Sequence, residues 1–161
     1  METIRSLRSE YEAAENKLLN LFPDKENFDD LLDKQLNEPY WLGEAPVAEV
    51  VAKSLHFLAK KMIELWCFCI MPNHVHLLFS LKDDKQDMFR IMQCHKSFTA
   101  KEANRILNLA GQFWEPESYD HVVREGEFEN IVSYILNNPV KATFVKEWEE
   151  WKWNYLNPVL V

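Results

Sequence analysis

Between Leu65 and Leu81 the chain reads Leu-Trp-Cys-Phe-Cys-Ile-Met-Pro-Asn-His-Val-His-Leu-Leu-Phe-Ser-Leu, and no other stretch restricts the fold as much. Aromatic and branched residues on both sides of Pro72-Asn73 suit a pleated, half-buried surface, so the stretch predicts a β-hairpin. Proline at the first central position disfavours the tightest turns, which predicts a longer loop and leaves the register open. The second arm starts His74-Val75-His76. Residues two apart on a strand point to one face with Cα atoms roughly 6.5 to 7 Å apart, so both imidazoles can meet one ion while Val75 packs behind them. Two ligands do not complete a metal site, and a buried histidine is more often a hydrogen-bonded core residue.

At 161 residues the chain predicts one domain, 1–161, able to bury a core without staples. Three cysteines, Cys67, Cys69 and Cys94, are too few and odd in number for a disulfide scaffold. No charged leader precedes an apolar core and no apolar run nears 18 residues, so the expectation is a soluble, cytoplasmic protein with no membrane partner. A net charge of -8 argues against diffuse binding to nucleic acid, which rests on a basic surface, and leaves room for a local basic groove.

Taken in order, residues 3–21 place Ile4, Leu7, Tyr11, Ala14, Leu18 and Leu21 at helical spacing, and a shorter acidic helix follows through Phe28, Leu31, Leu32 and Leu36. A turn at 39–43 leads to a helix opened by Pro46, with Val47, Val50, Val51, Leu55, Leu58 and Met62 as its buried stripe and His56 beside it. After the hairpin a long helix spans about 86–109, its apolar side marked by Met88, Ile91, Met92, His95, Phe98 and Ile106, with Gly111 as its stop. Residues 112–114 and 118–123 read as short extended pieces. A helix over 127–137 carries Phe128, Ile131, Val132, Ile135 and Leu136 inward and stops at Pro139; Tyr134 and Asn138 share its margin, with Asn138 at or just past the last turn. The tryptophans and tyrosine at 148, 151, 153 and 155 are expected to lie back on the core.

Three segments together carry a resemblance: Met71-Pro72-Asn73-His74-Val75-His76-Leu77-Leu78, then Lys96-Ser97-Phe98-Thr99-Ala100, then Tyr134-Ile135-Leu136-Asn137-Asn138-Pro139-Val140-Lys141-Ala142. In this order and spacing, over about 39–153, the chain resembles the REP-associated tyrosine transposases, relatives of the single-tyrosine insertion-sequence transposases, with 1–38 as a helical N-terminal part. The resemblance implies an HUH endonuclease with an α+β, ferredoxin-like antiparallel sheet and helices on one face. It implies that His74 and His76 hold a divalent ion, Mg or Mn, with Asn138 as third ligand, and that Tyr134 attacks single-stranded DNA. Relatives begin with a central hydrophobic strand, whereas this sequence starts directly at its first helix, so the expectation is either that the sequence is truncated or that 154–161 or a partner chain fills the sheet, and a homodimer is expected.

A tyrosine phenol, with an ordinary pKa of about 10, is a poor nucleophile at neutral pH unless its proton is removed or its attack is positioned. In the scheme the resemblance implies, it joins the 5' phosphate and frees a 3' hydroxyl near a DNA hairpin. Lys96, Lys101, Arg105, Arg124 and Lys141 are the candidate phosphate contacts, and His121 falls in a recurring segment of the family. Two other classes stay open: an inactive or domesticated binder of DNA hairpins, and a small structural zinc protein in which Cys67 and Cys69 join the histidines if the register sets Cys69 opposite His76.

Overall fold

The computed structural model describes residues 40–116, 118 and 120–161. The two helices expected before Tyr40 lie outside the described residues, as does Tyr119. The remainder runs α1 (Ala45–Ala59), β1 (Ile63–Ile70), β2 (Val75–Leu81), α2 (Met88–Leu107), α3 (Phe128–Lys141) and β3 (Asn154–Leu156), with single 3-10 turns at Trp41–Gly43, Trp148–Glu150 and Pro158–Leu160. The class is α+β. β1 is the middle strand of an antiparallel sheet of order β2-β1-β3, so a C-terminal segment supplies the third strand.

The hairpin forms where the sequence reading puts it, and the structure supplies the register that the sequence left open. Ile70 pairs with Val75 and Cys69 with His76 across a four-residue loop, Met71 to His74, closed by the Met71 amide donating to the His74 carbonyl at 2.9 Å. A bulge interrupts β1, since Leu65 faces Phe79 and Cys67 already faces Leu78. The extra residue sends Trp66 and Cys67 to the same side. Ile63, Leu65, Phe68 and Ile70 therefore pack with Val51, Leu55 and Leu58 of α1 and with Ile91 and Ala103 of α2, whereas Cys67 and Cys69 pack with Ile131, Val132, Ile135 and Leu136 of α3. The helices thus divide between the two faces of the sheet, α1 and α2 on one and α3 on the other. Asn157 clips the bulge from the C-terminal segment, its amide N–H donating to the Trp66 carbonyl at 2.8 Å and its side chain to the Leu65 carbonyl at 2.9 Å.

Helix boundaries follow local chemistry. Pro46 sits in the first turn of α1, where a missing N–H costs nothing. Asp87 caps α2 by accepting the Arg90 amide, and Asn108, at φ 54°, ends it in the left-handed conformation three residues before Gly111. Asparagine tolerates that conformation because its side chain bonds locally. Residues 112–114 join no strand; Phe113 and Trp114 are rings packed on the α1–α2 core. Trp153 and Tyr155 lie on the same core, and Trp148 and Trp151 on the α3 side, as expected.

One boundary corrects the sequence reading in a way that matters for the site. Pro139 does not stop α3, which continues to Lys141. An interior proline costs about 3 kcal/mol through its lost hydrogen bond and its clash with the preceding turn. Here it sits in the last turn and its ring is fully buried, so packing offsets the penalty. Asn138 is consequently helical, one turn beyond Tyr134 on the same face, with its side-chain Nδ2 3.5 Å from the Tyr134 carbonyl.

Candidate active site

The register brings His76 to the α3 side of the sheet, because it stands opposite Cys69 and Cys69 packs under α3. His74, the last loop residue, joins it: the two Nε2 atoms are 3.1 Å apart and the rings meet edge to face with centroids 4.8 Å apart. From α3 the Tyr134 ring comes edge-on to His76, centroids 5.8 Å apart and planes at 82°. Strand and helix thus bring three of the sequence-derived candidates together within one chain.

Burial pushes the His74 imidazole down to about 4, so at neutral pH it is uncharged and keeps a lone pair for a ligand. The two Nε2 atoms, 3.1 Å apart, are close enough that both rings would hold one ion. Asn138 is 1% exposed, and its Oδ1 has no hydrogen-bond partner among the described residues. A buried carbonyl oxygen left unsatisfied costs about 1–3 kcal/mol, a cost that ligation would remove. Among the described residues no group of three or more His, Cys, Asp and Glu could hold an ion. The donors that these three residues carry, two imidazoles and an amide, are a set that would fit a divalent cation.

The cysteines do not join this set. Cys69 does stand across from His76, the register a zinc site needs, yet both thiols are wholly buried among apolar side chains, and burial pushes Cys67 up to about 12. Thiols enclosed in this way by apolar side chains pack as small hydrophobic core residues.

The Tyr134 helix is anchored at both ends. At its start Glu127 accepts the Arg124 amide at 2.9 Å and lies 3.2 Å from His121 Nε2; the Arg124 amide, then the His121 contact, hold its carboxyl below the usual carboxylate range. His121 thereby ties its loop to the first turn of α3. Near its end the side chain of Asn154, in β3, donates to the Leu136 carbonyl at 2.9 Å, while Trp151 Nε1 ties the C-terminal segment to β1 by donating to the Ile70 carbonyl at 3.0 Å. No sequence pattern pointed to Asn154 or Trp151 in this role, because both bonds span distant segments. Asn73 was legible only as a turn residue, although its Oδ1 lies 2.7 Å from His74 Nδ1.

The candidate cations on α2 lie across the sheet from these groups. Lys96, Lys101 and Arg105 are on α2, which packs on α1. Lys96 Nζ donates to Ser118 Oγ at 2.6 Å, and Arg105 is paired with Glu102 at 2.9 Å. Lys101 and Arg124 are exposed, while Lys141 is half-buried in the last turn of α3. No helix among the described residues is long and apolar enough to cross a membrane.

Comparison with known proteins gives a consistent picture. A putative REP-associated tyrosine transposase from Haemophilus influenzae is 28% identical over 101 residues, covering 56% of this chain and 57% of the relative. A REP-associated tyrosine transposase from Escherichia coli is 29% identical over 90 residues, covering 55% of this chain and 51% of the relative. The match thus spans about half the length of these curated relatives. No solved structure matches significantly. The family described as "Transposase IS200 like" matches residues 41–138, a span that begins at the 3-10 turn before α1 and ends on Asn138. The chain belongs to the IS200-like transposase family.

Proposed function

We propose that the chain is a DNA strand-transfer enzyme of transposase type, cutting single-stranded DNA beside a hairpin with Tyr134 as nucleophile. One observation carries the reading: Tyr134 from α3 stands against His76, which in turn meets His74, all within a single chain. In the step, the Tyr134 phenol gives up its proton as its oxygen bonds to the scissile phosphorus, the bond from phosphorus to the 3' oxygen breaks, and the 3' oxygen takes up one proton in return and leaves as a hydroxyl. One phosphoester replaces another, so the 5'-phosphotyrosine keeps the bond available for rejoining and no nucleotide is consumed. The fixed position of α3 supplies orientation, which saves the entropy of bringing nucleophile and phosphate together. His74, His76 and Asn138 are the residues that would hold a divalent ion, Mg or Mn, and a bound ion supplies positive charge to a phosphate oxygen.

With a net charge of -8, substrate capture depends on a few local cations. Lys141, one helical position set beyond Asn138, is the candidate placed nearest the nucleophile in sequence; Lys96, Lys101, Arg105 and Arg124 would serve strands running farther out. The whole chain, 1–161, is read as one domain. Two copies are proposed to associate through β2, an uncharged seven-residue strand whose outer edge pairs with no strand among the described residues. Light scattering at low micromolar concentration should give twice the chain mass, and a monomer removes this part of the reading.

The test of activity is incubation of the full chain with Mn and a 3'-labelled hairpin carrying single-stranded flanks, followed by mass mapping of peptides. Covalent DNA on the Tyr134 peptide is the expected result. A retarded but non-covalent complex would instead favour the hairpin-binding alternative.

A further inference from the structure

The loop between β1 and β2 holds a polar side chain to which the proposed chemistry gives no task. Asn73 Oδ1 lies 2.7 Å from His74 Nδ1, and His74 Nε2 lies 3.1 Å from His76 Nε2. A carboxamide oxygen only accepts, and a neutral imidazole carries a single proton. The first contact is a hydrogen bond only if His74 holds its proton on Nδ1 and donates it to Asn73. His74 Nε2 is then a bare lone pair facing His76. The second contact is a hydrogen bond only if His76 carries its proton on Nε2 and donates it to His74; two bare nitrogens at that distance would repel. One side chain therefore sets the proton on His74, and in the metal-free chain the His76 proton lies on Nε2, from where a cation held by both rings would displace it to Nδ1.

We propose that Asn73 is a positioning residue that sets the direction of the His74–His76 hydrogen bond, holding His74 in the tautomer whose Nε2 is open to a divalent cation. Histidine free in water favours the opposite tautomer, with the proton on Nε2, so the choice has to be imposed by whatever Nδ1 bonds. The loop is suited to impose it. Asn73 is bracketed by two backbone hydrogen bonds, the Leu42 amide to the Pro72 carbonyl at 3.0 Å and the Met71 amide to the His74 carbonyl at 2.9 Å, so its side chain starts from a fixed position. A hydrogen-bond partner on the far nitrogen of a metal-ligating histidine typically changes metal affinity by 10- to 100-fold. The inference rests on the proposed metal-binding role of the histidines, but half of its test needs neither metal nor DNA.

The experiment uses the full chain labelled with 15N-histidine, in which five histidines are assigned by single His→Gln variants. Long-range proton–nitrogen correlation spectra of the metal-free protein read the tautomer of each ring. The expected result is a proton on Nδ1 in His74 and on Nε2 in His76. In Asn73→Ala the His74 signals should move toward the opposite tautomer and Mn affinity, followed by electron paramagnetic resonance, should fall at least about tenfold. Asn73→Asp keeps the acceptor and should keep both the tautomer and the affinity. A His74 proton on Nε2 in the unaltered chain overturns the proposal even if Asn73→Ala fails to fold, and so does an Asn73→Ala protein with unchanged tautomer and affinity. Absence of Mn binding by an unaltered chain whose His74 carries its proton on Nδ1 overturns the metal reading instead and leaves the tautomer assignment standing.

Discussion

On the α1–α2 face of the sheet, Ser54 Oγ meets His95 Nδ1 at 2.8 Å, Thr99 Oγ1 donates to the His95 carbonyl at 2.8 Å and Trp114 Nε1 donates to Thr99 Oγ1 at 2.9 Å. On the α3 face, His74 meets His76 at 3.1 Å beside Tyr134, and the buried Asn138 Oδ1 meets no hydrogen-bond donor among the described residues. Both groups set histidine into a largely apolar interior. The first closes its hydrogen bonds internally and holds two helices and a loop together. The second leaves acceptor capacity open, which lowers stability unless a ligand takes it up. The contrast separates a structural histidine from a candidate site histidine more clearly than burial does, since both are withdrawn from water.

The comparison breaks most visibly at Tyr134. Tyr134→Phe keeps the ring that packs against His76 and removes only the phenol oxygen, so the covalent DNA adduct should disappear altogether while the thermal unfolding midpoint shifts little. Gel analysis of labelled DNA after denaturation reads the first quantity and calorimetry the second. An adduct that persists places the nucleophile elsewhere. His76→Ala comes next: removal of one of two imidazoles should weaken Mn binding by more than about a hundredfold. Equal affinity in the two proteins would separate the histidine pair from any ion.

The hairpin, the three helices and the His74–His76 pair were legible because each rests on local pattern: β-type residues about a turn, helical spacing of apolar side chains, two histidines at strand period. What the sequence hid was set by long-range contacts. The bulge at Trp66 shifts every later β1 side chain to the other face, yet nothing near Trp66 announces it; Asn157, some ninety residues away, satisfies the carbonyls it exposes. Pro139 reads as a helix stop by local rules, and only the burial of its ring explains why α3 continues and keeps Asn138 in line with Tyr134. The register opposite Cys69 was open for the same reason, because a four-residue loop does not dictate pairing.

The closed group should show itself in acid. Burial first, and the Lys96 ammonium second, push His95 down to about 4 from an ordinary 6.5. The unfolded chain takes up a proton below about 6.5 while the folded one stays neutral until about 4, so the unfolded state binds more protons in this window and stability falls as pH falls. The contribution is fully present above 6.5 and is lost between 6.5 and 4, amounting to about 3 kcal/mol at the lower end. Urea unfolding at pH 7 and at pH 4.5 should show this loss, and in His95→Gln the loss should shrink by about 2 kcal/mol. An unchanged pH dependence would mean that His95 is not held neutral by its surroundings.

The smallest effect tests the open group from its other side. Asn138 keeps a carbonyl oxygen buried with no donor, and its Nδ2 makes only a 3.5 Å contact with the Tyr134 carbonyl, so its side chain adds little to the folded state. Leucine has nearly the same shape and needs no partner. Asn138→Leu should therefore leave the fold unharmed or stabilise it by about 1 kcal/mol, the opposite of what truncating Ser54 in the closed group would do. Mn affinity should fall at the same time. Stability gained together with binding lost is the signature of a residue retained for a ligand at some cost to the fold. If Asn138→Leu instead loses 2 kcal/mol or more and binds Mn as before, the orphaned oxygen has a structural partner in solution and the two faces of the sheet are closed alike.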